Sequence, residues 1–163
     1  MIIENKTPEL KFDLANEEAT KALATRIARA TRTGDVIVLC GDLGTGKSTF
    51  ARAFIRTRSN SFEEVPSPTF TMLQTYEASD TIIYHFDLYR IEQEEDMFEL
   101  GVDEAFADGI SLIEWGDRLG PLLPTDRLEI HLFVGETENS RHVNLVGYGY
   151  WETRLNNEFK QGS

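Results

Sequence analysis

Apolar and polar residues follow two different periods along the first third of the chain. Alternation over residues 10–14 predicts a short strand. Helical spacing of apolar residues then predicts a helix with Asn16 as its N-cap and Gly34 at its end. The run Val36–Cys40 has no polar face, which is typical of a strand covered on both sides. Helical spacing returns from Lys47, so the local order is strand, loop and helix.

The rest of the chain contains two patterns that predict β-hairpins. Residues 69–76 and 81–88 are rich in β-branched and aromatic side chains and are separated by a short turn. Residues 128–134 alternate between apolar and polar, and apolar positions resume at residues 143–145 after a polar turn. Together with the buried run at residues 36–40, these hairpins predict one sheet with parallel and antiparallel strands.

Between the hairpins, residues 92–108 predict one or two short helices interrupted at Gly101. Residues 110–113 are apolar and predict a buried strand that ends at Glu114 and Trp115. The fold class is therefore α/β, with helices flanking a mixed sheet.

The length of 163 residues fits a single domain over residues 1–163, with a core at about residues 10–147. The tail at residues 148–163 is either a terminal helix that packs its apolar residues or a partly disordered segment. A lone cysteine, no secretory leader pattern and no apolar run near the roughly 18 residues of a membrane span predict a cytoplasmic protein without a membrane partner.

The charge of the chain is strongly and unevenly negative. There are 16 Lys and Arg against 28 Asp and Glu, for a formal charge of -12. Residues 91–117 contain 10 of these acids and no Lys or Arg. This excess disfavours strong direct binding of nucleic acid, because Lys and Arg supply most of that affinity. We interpret the acidic stretch as a partner-facing or switch surface, with a solvated helical face as the alternative.

A glycine-rich loop carries the clearest chemical signal. It reads Gly41-Asp42-Leu43-Gly44-Thr45-Gly46-Lys47-Ser48. This sequence satisfies the phosphate-binding P-loop pattern, in which backbone N–H groups surround phosphate oxygens, Lys47 reaches the β- and γ-phosphates and the Ser48 hydroxyl ligates Mg²⁺. We also place Thr49 among the nucleotide-binding positions. The motif, between a buried strand and a helix, predicts a P-loop NTPase-like domain that binds ATP or ADP.

Hydrolysis also needs an acid near the metal and a group that orients water. Two apolar strands end in acids, Asp87 and Glu114, and either could hold Mg²⁺. Thr69, in the run Ser67-Pro68-Thr69-Phe70, is either a switch residue near the γ-phosphate or part of a proline turn.

Other reactive residue types give weaker signals. The three histidines, His85, His131 and His142, lack metal-ligand spacing and are interpreted as solvated or strand-face residues. Cys40 is interpreted as a small core residue. Trp115 either belongs to the core or covers the site.

The ordered motifs together carry a family resemblance. They are the P-loop, then Ser67-Pro68-Thr69-Phe70, His85-Phe86-Asp87-Leu88-Tyr89-Arg90, Glu99-Leu100-Gly101 and Ile113-Glu114-Trp115. In this order they resemble the TsaE (YjeE) family of bacterial P-loop ATPases. The resemblance implies an accessory ATPase that acts with TsaD and TsaB proteins in threonylcarbamoyladenosine modification of tRNA, rather than a protein that grips tRNA itself.

The resemblance also implies roles for single residues. Ser48 and Glu114 would hold Mg²⁺, Lys47 and the loop backbone would hold phosphates, Thr69 would act as a switch, and Asp87 would assist catalysis. Arg141 matches by position an arginine close to the nucleotide, and Thr20 lies near the place where the family contacts the base.

Two other functions remain open from the sequence. A small-molecule or nucleoside kinase needs the same loop plus an acceptor pocket. A nucleotide-gated binding module would use the loop for binding, with incidental hydrolysis.

Overall fold

A computed structural model describes residues 9–42, 44–59, 65–66, 68 and 71–159. The strands in this part of the chain are β1 (Glu9–Leu14), β2 (Val36–Cys40), β3 (Leu73–Glu77), β4 (Ile82–Asp87), β5 (Ile110–Glu114), β6 (Arg127–Val134) and β7 (Arg141–Tyr148). The helices are α1 (Glu17–Ala30), α2 (Lys47–Ser59), α3 (Glu94–Glu99), α4 (Val102–Asp108) and α5 (Trp151–Phe159), with a 3₁₀ segment at Gly116–Leu122. None of the described helices is both long and apolar enough to cross a membrane.

The described strands form one mixed sheet in the order β1-β7-β6-β2-β5-β4-β3. Its four central strands, β6, β2, β5 and β4, are parallel, and the outer pairs are antiparallel. The mixed sheet and both hairpins agree with the predictions. Because β2, β5 and β4 run in the same direction, their carboxyl ends bring Cys40, Glu114 and Asp87 to one edge.

The two faces of the sheet are covered by different elements. Ile37 and Leu39 of β2 belong to a core cluster with residues of α1, α2 and α5. Val36 and Val38 belong to a second cluster with residues of α3, α4 and the 3₁₀ segment. Double coverage explains why the β2 sequence is apolar at successive positions.

Helix α1 begins as predicted but ends earlier. The Asn16 side chain accepts a hydrogen bond from the backbone N–H of Ala19 at 2.9 Å. The helix stops at Ala30, where the Thr31 hydroxyl donates to the carbonyl of Ala28 at 2.6 Å. Gly34 lies in the following turn with φ +97°. A hydroxyl that caps a helical carbonyl, rather than glycine, thus ends the helix.

The strand predicted over residues 69–76 was placed too early. Strand β3 starts at Leu73, and Thr69 and Phe70 lie outside the described residues. Met72 has φ +64°, and its N–H donates to the carbonyl of Pro68 at 2.6 Å. The chain therefore turns at Met72 before it enters the sheet.

Helix α5 packs onto the same face as α1 and α2. Trp151 and Leu155 are fully buried. Asp35, just before β2, accepts hydrogen bonds from the Tyr150 hydroxyl at 2.8 Å and from the Arg154 guanidinium. Burial and the neighbouring Asp35 carboxylate raise the pKa of the Tyr150 hydroxyl above its usual value. A buried ion pair thus fixes α5 to the amino end of β2.

Candidate functional site

The glycine-rich loop connects the carboxyl end of β2 to the first turn of α2. Helix α2 begins at Lys47, and the Phe50 N–H donates to the carbonyl of Gly46 at 2.9 Å. At Gly41 the backbone has φ +152°, and a Cβ atom would lie 2.6 Å from Thr45 Oγ1 and 2.7 Å from the Leu132 carbonyl oxygen. This position therefore requires glycine. The loop curls tightly ahead of a helix N-terminus, an arrangement that suits phosphate binding.

Arg141 reaches the loop from strand β7. Its Nε donates to the carbonyl of Thr45 at 2.9 Å, and its Nη2 donates to the carbonyl of Gly44 at 3.2 Å. Its Nη1 donates to the carbonyls of Glu138 and Ser140 at 2.8 and 2.7 Å. The guanidinium therefore contacts the loop through carbonyl groups. As a donor it does not occupy the backbone N–H groups of the loop, which are the groups that would bind phosphate.

Lys47 and Trp115 face each other beside the loop. The Lys47 side chain is buried, and its Nζ lies 4.5 Å from the centroid of the Trp115 ring. Both residues line a cavity of about 450 Å³ with Gly41 and Asp42. Trp115 has φ +60°, so the chain bends sharply after β5 and turns the ring toward the loop. Trp115 therefore combines the two alternatives, because it packs against the second core cluster and also faces Lys47 beside the loop.

Glu114 and Ser48 line a second, smaller cavity of about 140 Å³ with His85. Glu114 is buried at the end of β5, and its Oε2 lies 2.9 Å from His85 Nε2. Ser48 is exposed in the first turn of α2. A carboxylate and a hydroxyl beside a phosphate-binding loop are the oxygen donors that Mg²⁺ prefers. The donor set therefore fits this ion.

His85 lies at the candidate site, and the sequence interpretation gave it no role there. Of the two interpretations offered for the histidines, His85 fits the strand-face one: it is buried on β4, and its Nδ1 has no hydrogen-bond partner among the described residues. Asp87 follows two positions later on the same strand face and pairs in register with Glu114. The sequence offered only the two-residue spacing before a strand-end acid, and the contact with Glu114 depends on the pairing of β4 with β5.

Asp87 itself lies where the sequence placed it, at the carboxyl end of β4. It is buried, and its Oδ1 accepts a hydrogen bond from the Tyr89 N–H at 3.0 Å. The parallel register brings it beside Glu114. The two strand-end acids predicted from sequence are thus adjacent.

Two of the remaining predicted positions, Thr20 and Thr49, do not line either loop cavity. Thr20 is buried in α1 and lines neither cavity described above. Thr49 lines a separate groove between α1 and α2 with Glu17. Leu43 and Thr69 lie outside the described residues.

Comparison with known proteins gives a consistent family match. Residues 14–143 match the family model described as "Threonylcarbamoyl adenosine biosynthesis protein TsaE". The chain is 41% identical to a tRNA threonylcarbamoyladenosine biosynthesis protein TsaE of Rickettsia felis, over 82% of this chain and 77% of that protein. It is 38% identical to the Bacillus subtilis protein of that name, over 87% of this chain and 89% of that protein.

A solved structure has the same fold. The crystal structure of YdiB from Bacillus subtilis superposes with a TM-score of 0.82 at 29% sequence identity. The match covers 98% of this chain and all of that chain. The α/β fold expected from the sequence is therefore confirmed.

Proposed function

The chain belongs to the TsaE family, and from this premise we propose that it hydrolyses ATP with Mg²⁺ in support of threonylcarbamoyladenosine formation in tRNA. The observation that carries the nucleotide part is the tight loop from Gly41 to the start of α2. Arg141 donates to carbonyl groups of this loop, so the backbone N–H groups of the loop remain for phosphate oxygens. Lys47, at the start of α2 with its Nζ 4.5 Å from the Trp115 ring centroid, would turn toward the phosphates when nucleotide binds.

In this proposal Ser48 and Glu114 hold the metal ion, directly or through water. Bound Mg²⁺ would neutralise charge on the β- and γ-phosphate oxygens. His85 orients the Glu114 carboxylate through the 2.9 Å contact. Asp87, one strand away, orients the attacking water or accepts its proton. Thr69 as a switch residue, and Thr20 and Thr49 as nucleotide contacts, stay predictions.

We propose that the ATP cycle acts on a TsaD–TsaB complex and that this protein does not itself bind tRNA strongly. The net charge of -12 supports this, because a protein that binds RNA through its overall electrostatic potential is expected to be basic. Helix α3 adds an exposed acidic surface with Glu94, Glu95 and Phe98. Reversing the charge of Glu94 and Glu95 is expected to weaken partner binding and its salt dependence. Unchanged binding would assign these acids to a solvated face.

Nucleotide binding and turnover are tested on purified full-length protein. Lys47→Ala should lose most ATP affinity and phosphate release, whereas Lys11→Ala, which alters an exposed lysine on β1, should leave both intact. Phosphate should be released without an added acceptor. Strict dependence on an acceptor would instead identify a kinase.

The pathway role needs a reconstituted reaction with TsaD, TsaB and tRNA. Glu114→Ala is expected to bind ATP but fail to support modification. If this variant supports modification at the normal rate, ATP binding alone is sufficient and hydrolysis is incidental.

A further inference from the structure

A thiol, a carboxylate and an imidazole converge beside the loop, and the proposed ATPase site gives none of the three a role. Cys40 at the end of β2 pairs in parallel register with His131 of β6. Glu129 lies two residues before His131, so its side chain projects from the same face. One ligand atom from each residue lies within 4.8 Å of the other two. All three side chains are half-buried.

These three residues offer sulfur, nitrogen and oxygen donors, the combination that Zn²⁺ and similar ions accept. Metal–ligand distances of about 2.0–2.3 Å set the donors of a tetrahedral site about 3.3–3.8 Å apart. The donors here lie within 4.8 Å of one another, so small side-chain rotations would suffice. The cluster also lines the 450 Å³ cavity beside the loop. That cavity leaves room for water as a fourth ligand.

The surroundings already orient the carboxylate. Arg127 Nε donates to Glu129 Oε2 at 2.7 Å, while Glu129 Oε1 lies 3.0 Å from His131 Nε2. One carboxylate oxygen is therefore held by an outer partner, and the other faces the cluster, as is common around metal ligands.

The cluster is separate from the Mg²⁺ residues. Leu39, the neighbour of Cys40, pairs in register with Glu114. Since successive residues of a strand point to opposite faces, Cys40 and Glu114 lie on opposite sides of the sheet. Helix α2 and Ser48 lie on the Glu114 side, where Leu39 packs with α2 residues. A single ion could not serve both sets.

From this geometry we propose that Cys40, Glu129 and His131 bind a thiophilic divalent transition ion of the Zn²⁺ class, independently of nucleotide. Mg²⁺ does not compete, because it prefers an all-oxygen octahedral shell. The proposal does not depend on ATP hydrolysis by this protein.

The test uses full-length protein stripped with a chelator and titrated with Zn²⁺ against a chromogenic competitor. One equivalent should bind, and excess Mg²⁺ should not displace it. Co²⁺ should give a thiolate-to-metal charge-transfer band and the intense ligand-field bands of a tetrahedral site. Cys40→Ser should remove the charge-transfer band and weaken Zn²⁺ binding by more than about tenfold, the minimum loss seen when only outer partners are changed.

The matched control is His142→Gln on the neighbouring strand. His142 Nδ1 lies 2.6 Å from Asp13 Oδ1, so this is a surface histidine–carboxylate pair without a thiol. The control variant should bind Zn²⁺ like the unmodified protein. Equal affinity of Cys40→Ser and unmodified protein, or a Co²⁺ spectrum without the charge-transfer band, would overturn the proposal.

A measurement on unmodified protein avoids any effect of substitutions on folding. Cys40 is the lone cysteine, so alkylation by iodoacetamide reports on that thiol alone. One equivalent of Zn²⁺ should slow alkylation at least tenfold, and Mg²⁺ should have no effect. Alkylation at the same rate with and without Zn²⁺ would contradict a thiol ligand.

Discussion

Replacing Arg141 by alanine should weaken nucleotide binding through the shape of the loop. The change removes two hydrogen bonds to loop carbonyls, at 2.9 and 3.2 Å. Hydrogen bonds from a charged donor contribute about 1.5–3 kcal/mol each, and the exposed one contributes less, so we expect a total of about 2–3 kcal/mol. Without Arg141, ATP binding has to re-form the loop conformation that these hydrogen bonds stabilise. That free energy corresponds to about a 30- to 140-fold loss in ATP affinity.

The assay is a titration with a fluorescent ATP analogue, with urea unfolding as a check on the fold. Arg141→Lys is the informative control, because lysine keeps the charge but lacks the planar guanidinium whose separate nitrogens donate to two carbonyls at once. We expect it to recover less than half of the lost binding free energy. Affinity of Arg141→Ala within threefold of the unmodified protein would refute the argument. Full recovery by lysine would show that charge toward the nucleotide matters instead.

Three further changes test other parts of the structure. His85→Gln should lower the maximal ATPase rate more than ATP affinity, because it disturbs the orientation of Glu114; steady-state kinetics with varied Mg²⁺ would check this, and an unchanged rate would exclude a positioning role. Asp35→Ala should lower the free energy of unfolding by about 3–5 kcal/mol, since it leaves Arg154 without its buried carboxylate, and urea denaturation measures the loss. Gly41→Ala should reduce both stability and ATP affinity because its Cβ would meet loop and β6 atoms; normal affinity would argue against a rigid loop.

Local patterns predicted the strand β2, the loop and the helix α2 because each depends on residues close in sequence. The run Val36–Cys40 is apolar throughout, and the loop glycines follow immediately. The start of β3 was missed because the turn at Met72 uses a positive φ without glycine. A methionine in that conformation leaves no sequence signal.

The side-chain clusters were missed for a different reason. His85 meets Glu114 only because β4 lies beside β5, and Cys40 meets His131 only because β6 lies beside β2. The spacing of apolar residues along the sequence predicts that a strand exists, but it does not predict which strand lies beside it in the sheet. Contacts between residues about 30 to 90 positions apart therefore required the sheet order, and the histidines could not be assigned beforehand.

The two tryptophans of the chain occupy contrasting environments. Trp115 lies against the Lys47 ammonium at the candidate site, whereas Trp151, the first residue of α5, is fully buried. Movement of Lys47 toward phosphate would change the emission of Trp115 and leave Trp151 unaltered. Unfolding would shift the emission of both toward that of water-exposed indole. Intrinsic fluorescence of the unlabelled protein can thus separate ligand occupancy from loss of the fold, with Trp115→Phe and Trp151→Phe assigning each signal.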